Sequence, residues 1–577
     1  MIKISNLYYN YKVPGTGEIK ALDGVNLEIE AGDCLALIGP NASGKSTLVR
    51  HLNGLLTSSR GRVLVDDLNP ADQNNLLKVR QKVGMVFQNP NSQLLGSTLE
   101  EEVAFGPENL GLAPSEIKQR VYRALKAVEL EGLAARNPQT LSGGQKQKLA
   151  IAGILAMEPE YLILDEPTSM LDSHGKSEVL EVIKKLNRDK GITVIHITHD
   201  LEEAAQFKRV IVMHQGRLVM DGLSSMVLSQ VERLQSLNLT SPRLTRLLYE
   251  LRREGLPVKE DVLNWEEAAS LLSGLLLPQN SYTLPEIPVF NYDSPIIETQ
   301  KLSYIYQKGT PFEVTALNEI DLKIASREVL GIIGPTGSGK STLIQHFNRL
   351  LKPSSGRISV FGQNLSGGKF SGKHLRQKVG LIFQFPENQL FEETVAEDLA
   401  FGPKNMHLSQ PEINNRVKQA MEMAGLDYLA YKDRNPFRLS GGEMRWVAIA
   451  GTLAMQPEIL VLDEPLAGLD PGGTIKLIKM LQSFNRESGK TVVVVSHALE
   501  ELAELADTLL LMRNRQVVLH RPFARILEEK SVMEELGLEL PIYTRLMLKL
   551  KERGFPVATA IFTLAQAKDQ IKALANN

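Results

Sequence analysis

Cysteine is almost absent from this sequence. The 577-residue chain contains a single cysteine, Cys34. One cysteine excludes an internal disulfide and any metal cluster built from cysteine ligands. The composition is therefore compatible with a reducing cytoplasm.

Long apolar runs are missing as well. The best candidates, Ala268–Leu277 and Tyr161–Leu164, are far shorter than the ~20 residues that cross a bilayer as a helix. The N-terminal MIKISNLYYNYKV lacks the charged-then-apolar pattern of a secretory signal. We expect a cytosolic chain whose role at a membrane, if it has one, depends on a partner.

Basic residues are not in excess. The formal net charge is -2 and the isoelectric point is near 6.6. A protein made mainly to grip nucleic acid usually carries a basic surplus, so the charge argues against that class. The length exceeds what one hydrophobic core supports, about 250 to 300 residues, and predicts several domains.

The sequence repeats itself along nearly its whole length. GPNASGKST at Gly39–Thr47 recurs as GPTGSGKST at Gly334–Thr342, and LSGGQ from Leu141 recurs as LSGGE from Leu439. Short β-branched runs alternate with amphipathic stretches in each half, which indicates parallel strands joined by helices. We therefore expect an α/β fold with helical insertions, present twice.

Each half also ends in the same apolar segment. Residues 244–258 and 543–557 place apolar side chains at helical spacing and close with Gly-x-Pro, a helix stop. A stretch rich in proline and polar residues separates the halves. The predicted boundaries are a first domain at 1–228 with a helical appendage at 229–277, a linker at 278–295, and a second domain at 296–522 with an appendage at 523–577.

The glycine-rich segments carry the first chemical signal. G-x-x-x-x-G-K-S after an apolar strand is a P-loop, in which backbone N–H groups wrap phosphates. Lys45 and Lys340 are expected to contact the β- and γ-phosphates of a nucleotide, and Ser46 and Ser341 to ligate Mg²⁺.

Paired acids end a buried strand in each half. In LILDE and LVLDE, Asp165 and Asp463 are the expected Mg²⁺ partners through water, at the sheet edge where ligands bind in open α/β folds. The adjacent Glu166 and Glu464 are placed to polarise the attacking water as general bases. A purely structural, strand-capping role is the alternative for these acids.

The LSGGQ and LSGGE segments precede helical runs and present a hydroxyl, backbone amides and a helix N-terminus suited to a γ-phosphate. Here the sequence resembles the ATP-binding-cassette (ABC) family. That resemblance implies two tandem P-loop nucleotide-binding domains, each with an α-helical signature subdomain and a C-terminal helical appendage. It also implies an intramolecular pseudo-dimer in which the signature of one domain completes the ATP site of the other.

The resemblance assigns the remaining roles by position. Gln88 and Gln384 are similar to the Q-loop glutamines that sense Mg²⁺ and water, and His199 and His497 to the switch histidines that contact the γ-phosphate. Ser169–Asp172 and Ala467–Asp470 resemble D-loops. Tyr11 and Tyr306 resemble the aromatic platforms for adenine, with Tyr8 and Tyr9 as near rivals and packing as the alternative.

The complete set of expected site residues follows from these assignments. The catalytic residues are Glu166, His199 and Gln88, with Glu464, His497 and Gln384. The metal-ligating residues are Ser46, Gln88 and Asp165, with Ser341, Gln384 and Asp463. The nucleotide-binding residues are Tyr11, Gly39, Asn41, Ser43, Gly44, Lys45, Ser46, Thr47, Ser142, Gly143, Gly144 and Gln145, with Tyr306, Gly334, Thr336, Gly337, Ser338, Gly339, Lys340, Ser341, Thr342, Ser440, Gly441, Gly442 and Glu443.

Two positions depart from the family pattern. Ala42 replaces a P-loop glycine that the second half keeps as Gly337, and a small side chain should be tolerated there. Glu443 replaces the signature glutamine. A carboxylate facing phosphate charge is unfavourable, so we expect it to weaken the site that it completes.

Three classes of cassette ATPase compete: the motor of a membrane importer, a soluble twin-cassette factor acting on ribosomes or nucleic acid, and a DNA-repair or chromosome-associated ATPase. Asn89–Leu112 and Phe385–Leu408 resemble the energy-coupling-factor (ECF) ATPases of vitamin and cobalt or nickel importers. The repeated appendage supports the same group. The resemblance then implies a transmembrane scaffold subunit and a substrate-binding membrane subunit as partners, and a peripheral location on the cytoplasmic face of the cell membrane.

Acidic residues follow each Q-loop: Glu100, Glu101 and Glu102 in one half, Glu397 and Asp398 in the other. Glu101 and Glu397 occupy equivalent positions. They could pair with arginines of the membrane scaffold, or they could cap the first turn of a helix.

Overall fold

The computed structural model describes residues 1–13, 17–58, 60–88, 93–169, 171–277, 289–366, 372–467, 469–529, 533 and 538–575. The chain divides into two compact units, Met1–Leu275 with Asp470–Gly472, and Leu276–Leu469 with Gly473–Asn577. Of the predicted linker, residues 278–288 lie outside the described parts. The domain boundaries given above remain predictions.

Two sheets build the first half. Its strands are β1 (Ile2–Val13), β2 (Gly17–Ile29), β3 (Cys34–Ile38), β4 (Arg60–Val65), β5 (Val83–Val86), β6 (Tyr161–Asp165), β7 (Thr193–Ile197), β8 (Arg209–His214) and β9 (Arg217–Leu223). The larger sheet has the order β5-β6-β7-β3-β8-β9, with parallel pairing throughout except between β8 and β9. The smaller sheet, β2-β1-β4, is antiparallel.

Helices cover these sheets and extend beyond them. They are α1 (Lys45–Leu52), α2 (Gln73–Lys82), α3 (Leu99–Asn109), α4 (Pro114–Ala127), α5 (Gly143–Leu155), α6 (Ser173–Lys190), α7 (Leu201–Ala204), α8 (Ser224–Leu228), α9 (Val231–Ser236), α10 (Arg243–Arg253) and α11 (Trp265–Ser273). Helices α3, α4 and α5 pack on one another and form the helical insertion. Helices α9, α10 and α11 fall within the predicted appendage, 229–277.

The second half repeats this order. Its strands are β10 (Ile297–Tyr306), β11 (Val314–Ile324), β12 (Val329–Ile333), β13 (Ser355–Val360), β14 (Gln363–Asn364), β15 (Val379–Ile382), β16 (Ile459–Asp463), β17 (Thr491–Val495), β18 (Thr508–Arg513) and β19 (Gln516–Pro522). Its helices are α12 (Lys340–Phe347), α13 (Gly372–Lys378), α14 (Val395–Asn405), α15 (Gln410–Met423), α16 (Tyr428–Tyr431), α17 (Gly441–Leu453), α18 (Pro471–Arg486), α19 (Leu499–Leu502), α20 (Ile542–Glu552) and α21 (Leu564–Leu574). The two sheets have the orders β15-β16-β17-β12-β18-β19 and β11-β10-β13-β14.

The buried parallel strands place the acids and histidines at one edge. Every residue of β6, β7, β16 and β17 is buried, as expected for parallel strands covered on both faces. Because parallel strands end at the same edge, the residues after β3, β6 and β7 lie together, and so do those after β12, β16 and β17. The predicted α/β class with helical insertions is confirmed. The antiparallel sheets were not anticipated.

Helices α10 and α20 of the appendages are each capped from the cassette. Helix α10 begins after Pro242 without a side-chain cap of its own. The backbone N–H of Arg243 instead donates to Glu202 Oε1 at 2.7 Å. In the second half the N–H of Ile542, at the start of α20, donates to Glu500 Oε1 at 2.7 Å. Both glutamates lie three residues after the predicted switch histidines.

A helix that spans a membrane must be long and apolar. Across the described ranges, we find no helix with the length and apolar character that spanning a membrane requires.

Candidate active site

The P-loops need glycine where the backbone passes close to its neighbours. Gly44 has φ +101°, and a Cβ there would lie 2.5 Å from the carbonyl oxygen of Ala21. Gly339 repeats this with φ +102° and the carbonyl of Ala316 at the same distance. Both residues precede the helices that begin at Lys45 and Lys340, so only glycine permits this turn from loop to helix.

The P-loop lysines point back into their own loops. Lys45 Nζ donates to the carbonyls of Gly39 at 2.7 Å and Pro40 at 3.0 Å. Lys340 Nζ donates to Gly334 at 2.6 Å and Pro335 at 3.1 Å. Burial lowers the pKa of Lys45, against the opposing charges of Glu166 and Asp165. Each ammonium group thus lies inside its own P-loop. Asn41 of the first loop and Thr336 of the second are exposed.

The Ala42 position adopts a left-handed backbone. Its φ is +59°, and that of Gly337 is +80°. A Cβ at Gly337 would have no atom within 4 Å. Space therefore tolerates the small side chain, as expected, while the backbone conformation still favours glycine.

A hydroxyl and a carboxylate meet at the start of each P-loop helix. Ser46 Oγ donates to Asp165 Oδ1 at 3.0 Å, and Ser341 hydrogen bonds to Asp463. Burial raises the pKa of Asp165, and the charge of Glu166 adds to that effect while the Ser46 hydrogen bond opposes it. Among the described residues, Asp463 Oδ1 is buried without a hydrogen-bond partner. A carboxylate and a hydroxyl placed side by side fit Mg²⁺, which takes one or two carboxylates together with phosphate oxygens.

Glutamine, glutamate and histidine converge in the first half. Gln88 Nε2 donates to Glu166 Oε2 at 3.1 Å, and His199 Nδ1 lies 3.5 Å from the same oxygen. Burial alone would raise the pKa of Glu166, but the hydrogen bond and charge of His199 lower it. Burial would likewise lower the pKa of His199, but Glu166 raises it. The two side chains therefore form an ion pair beside Gln88.

The second half brings the same two groups closer together. His497 Nδ1 lies 2.7 Å from Glu464 Oε2. Gln384 follows β15 and is exposed. Both glutamates adopt left-handed backbones, with φ +51° at Glu166 and +49° at Glu464. This conformation costs roughly 1–2 kcal/mol for a residue with a Cβ and is common at functional sites.

Tyr11 and Tyr306 are the aromatic residues beside the P-loop helices. Tyr11 Oη lies 3.2 Å from Thr47 Oγ1, and Tyr306 Oη lies 3.3 Å from Thr342 Oγ1. Tyr9 packs edge-on against His51, and Arg60 lies over the ring of Tyr8. Tyr9 and Tyr11 therefore both border helix α1, and Tyr11 as the platform for adenine stays a prediction.

The signature serines begin helices α5 and α17. Ser142 and Gln145 form a capping box, and so do Ser440 and Glu443. Glu443 accepts hydrogen bonds from the Ser440 N–H at 2.9 Å, the Ser440 hydroxyl at 2.6 Å and the Tyr431 hydroxyl at 2.7 Å. Burial would raise the pKa of Glu443, but these hydrogen bonds lower it. This carboxylate turns back onto the start of its own helix, and the expectation that it faces phosphate charge stays a prediction.

Comparison with known proteins identifies the repeated domain. The ABC transporter family model matches residues 22–169 and 317–467. A Methanosarcina mazei protein that is named as an ABC transporter ATP-binding protein is 37% identical to this chain. The match covers 99% of this chain and 97% of the relative. The chain belongs to the ABC transporter ATP-binding family. It is therefore an ATPase with two ATP-binding cassettes.

Single-cassette relatives match one half of the chain. The energy-coupling factor transporter ATP-binding protein EcfA2 of Clostridium perfringens is 46% identical over 49% of this chain and 99% of its own length. A solved structure of CbiO1 from Clostridium perfringens, described as part of the ABC transporter complex CbiONQ, is 38% identical. It covers 44% of this chain and 99% of that protein, with a TM-score of 0.38.

The acids after each Q-loop of this ABC ATPase shape their own segment. Glu101 forms a capping box with Thr98 and accepts hydrogen bonds from the N–H groups of Ser97 and Thr98. Glu102 accepts two more, at 2.6 Å, from Leu95 and Gly96. The first part of this motif, residues 89–92, lies outside the described residues.

The second cassette uses its acids in the same way. Thr394 Oγ1 donates to Glu397 Oε2 at 2.7 Å, and Asp398 accepts from the N–H groups of Phe391 and Glu392. Glu101 therefore caps its helix, Glu397 accepts from the side chain of the N-cap residue, and the side chains of Glu100, Glu101 and Glu397 are all exposed, so docking to a partner stays a prediction.

Several cassette residues escaped the sequence reasoning. Arg445 is buried against the segment that follows β16, and Glu202 and Glu500 cap the appendage helices. The signal for Arg445 was a difference between the repeats, because EMRW stands where the first half has QKQK. In the D-loops, Met170 and Gly468 lie outside the described residues.

Proposed function

We propose that this ABC ATPase is the energy-coupling subunit of an ECF-type membrane importer for a vitamin or a transition metal ion. In this role it works with a transmembrane scaffold subunit and a separate substrate-binding membrane subunit, at the cytoplasmic face of the membrane. The observation that carries the proposal is a pair of exposed apolar patches at equivalent places in the two cassettes.

The patch of the second cassette is aromatic. Phe391 and Phe401 are 56% and 46% exposed, and their rings meet edge to face at 4.8 Å. They line a cavity of about 360 Å³ together with Met406 and Met455. Exposed apolar residues grouped around a cavity are typical of a surface that receives another protein.

The first cassette has the equivalent patch. Leu95 is 75% exposed and Phe105 is 54% exposed. The loops that carry Leu95 and Phe391 are held by the carboxylates of Glu102 and Asp398 through pairs of backbone N–H bonds. Both patches are thus presented by fixed loops, which lowers the entropy cost of binding. A short helix of the scaffold with an apolar side chain at its centre fits this surface.

A relative supports the same role. EcfA2 of Clostridium perfringens, which is 46% identical over 49% of this chain, is an energy-coupling factor transporter ATP-binding protein.

In the proposed chemistry each cassette supplies its own base. Glu166 and Glu464 accept hydrogen bonds from the attacking water and orient it towards the γ-phosphate. His199 and His497 fix the carboxylates from the other side. The P-loop lysines exchange their carbonyl partners for phosphate oxygens, because a phosphate offers a stronger, charged acceptor. Ser46 with Asp165, and Ser341 with Asp463, would hold Mg²⁺, which when bound neutralises phosphate charge.

Isolation of the full-length chain from detergent-solubilised membranes tests the importer role. The expected result is co-purification of a multi-span membrane subunit that stimulates ATP hydrolysis. Leu95→Ser and Phe391→Ser should each reduce that recovery and stimulation, while the hydrolysis of the chain alone persists.

Matched controls exist on the same molecule. Met226, which is 63% exposed on α8, and Val518, which is 46% exposed on β19, lie at the sheet edges opposite β5 and β15. Met226→Ser and Val518→Ser should leave recovery of the membrane subunit unchanged. Recovery of ribosomes or nucleic acid in place of a membrane subunit would overturn the proposal.

A further inference from the structure

A buried arginine holds the backbone beside the second catalytic glutamate. Arg445 lies on α17, is 7% exposed, and donates from Nη1 to the carbonyl of Ala467 at 2.7 Å. Its Nη2 donates to the carbonyls of Pro465 at 2.7 Å and Glu464 at 3.3 Å. One guanidinium therefore binds three carbonyls of the four residues that run from the base into the D-loop.

The segment that it holds has a strained conformation. Glu464 keeps its left-handed φ of +49° only if the surrounding structure imposes it. Arginine suits this task because its planar fork has five donors and stays charged even when buried. The Glu387 carboxylate, three residues after Gln384, opposes the effect of burial on the pKa of Arg445. Arg445 is thus placed among the signature helix, the base and the segment after the Q-loop.

The first cassette has different side chains around the equivalent segment. Gln147 occupies the position of Arg445 and is fully buried. Neither atom of its amide group has a hydrogen-bond partner within the described residues. There the Glu166 carbonyl accepts a hydrogen bond from Ser169 Oγ at 3.0 Å. Ser169 is replaced by Ala467 in the second cassette, which has no hydroxyl to offer.

We propose that Arg445 is the positioning residue of the second ATP site, and that Ser169 does the equivalent work in the first. The two sites of this chain are then held by different chemistry, a long side chain from the signature helix in one and a local hydroxyl in the other. The inference rests on the proposed roles of Glu166 and Glu464 as bases.

The test exchanges these two sets of side chains between the cassettes of the full-length chain, with steady-state ATP hydrolysis as the readout. Arg445→Gln should lower kcat towards half of the wild-type value, because the first site keeps its own base. The KM for ATP should change little, because a misplaced base slows chemistry more than binding. Adding Ala467→Ser to Arg445→Gln should restore most of the loss. A purely structural role for Arg445 does not predict rescue by a hydroxyl that contacts a different atom of the segment.

The reciprocal pair protects the test if Arg445→Gln folds poorly. Ser169→Ala should lower kcat in the same manner, and Gln147→Arg should rescue it. Unchanged kcat in both single variants, or losses that neither second change restores, would overturn the inference. Glu464→Gln and Glu166→Gln separate the two proposals. If these variants keep wild-type turnover, the proposed roles of the bases are wrong. If they lose turnover while the Arg445 and Ser169 variants keep it, only the positioning role is rejected.

Discussion

At the scale of single residues, the P-loop offers a matched experiment. Ala42 and Gly337 are equivalent and both left-handed. Ala42→Gly should raise the free energy of unfolding and Gly337→Ala should lower it, each by about 1 kcal/mol or less, because left-handed strain and the entropy of unfolded glycine partly cancel. Thermal unfolding of the full-length chain without nucleotide measures both. Effects of the same sign in the two variants would contradict this explanation.

The ion pair of the first cassette gives a pH dependence. The pKa of His199 is raised from its ordinary 6.5, so the stability that it contributes is complete below that pH and is lost as the pH rises through the folded-state pKa. The pKa of Glu166 is lowered from 4.5, so its contribution is lost only as the pH falls through the lower folded-state value.

The destabilisation caused by His199→Gln should therefore be largest between these two ordinary values and should fade above the raised pKa of His199. Urea unfolding of the wild type and the variant across this pH range measures it. A difference that grows towards alkaline pH would show that the two side chains are not paired.

Tyr431 and Glu443 form a second residue-scale pair. The three donors to Glu443 give it a local role at the start of its helix. Glutamine also completes a capping box, so Glu443→Gln should preserve ATP hydrolysis. Tyr431→Phe alone removes one donor from the carboxylate and should lower the activity. When Tyr431→Phe is added to Glu443→Gln, the activity should stay close to that of Glu443→Gln alone. Measured kcat values for the wild type, the two single variants and the double variant decide this. A marked loss in Glu443→Gln alone would give the carboxylate a direct role in the site.

The sequence indicated the candidate catalytic residues more readily than the residues that hold them. Lys45, Glu166 and His199 belong to motifs that are recognisable by their spacing. Arg445 and Ser169 act through backbone carbonyls, and a carbonyl leaves no trace in the sequence at the position that it occupies. Such contacts depend on how the signature helix packs on the sheet, which only the folded structure shows.

At the scale of elements, the first turn of α3 separates capping from docking. Glu101→Ala removes the capping box and should cost about 1 kcal/mol, whereas Glu101→Gln keeps it. Hydrogen exchange of the α3 amides should therefore speed up in the alanine variant alone. Equal loss of the membrane subunit in both variants would instead indicate that the charge docks a partner.

The parallel strands and the appendage helices were predicted, but the antiparallel sheets were not. The apolar runs of β6 and β7 are typical of strands buried on both faces, and the spacing of α10 is clearly helical. Strand β1 alternates apolar and polar residues at its start, which indicates a strand but not its partner. Its register with β2 shifts three times, and periodicity cannot encode such irregularities.

At the scale of the whole molecule, both cassettes retain a full set of the predicted catalytic residues. Each has its lysine, paired acids, glutamine and histidine. Glu166→Gln and Glu464→Gln should therefore each lower steady-state turnover by about half or more, because each removes the general base of one of two sites. Each variant should also retain ATP after rapid gel filtration. Wild-type turnover in either variant would remove that cassette from the catalytic cycle.

The carboxylates that cap the appendages affect how such proteins can be divided for study. A cassette shortened before its appendage keeps every nucleotide-binding motif, yet Glu202 loses the N–H of Arg243. That glutamate lies on α7, three residues after His199. Glu500 likewise loses the N–H of Ile542, three residues after His497. Rates and stabilities measured on a trimmed cassette therefore refer to a chain whose switch segment has lost this contact, and comparisons between relatives are best made with the appendages kept.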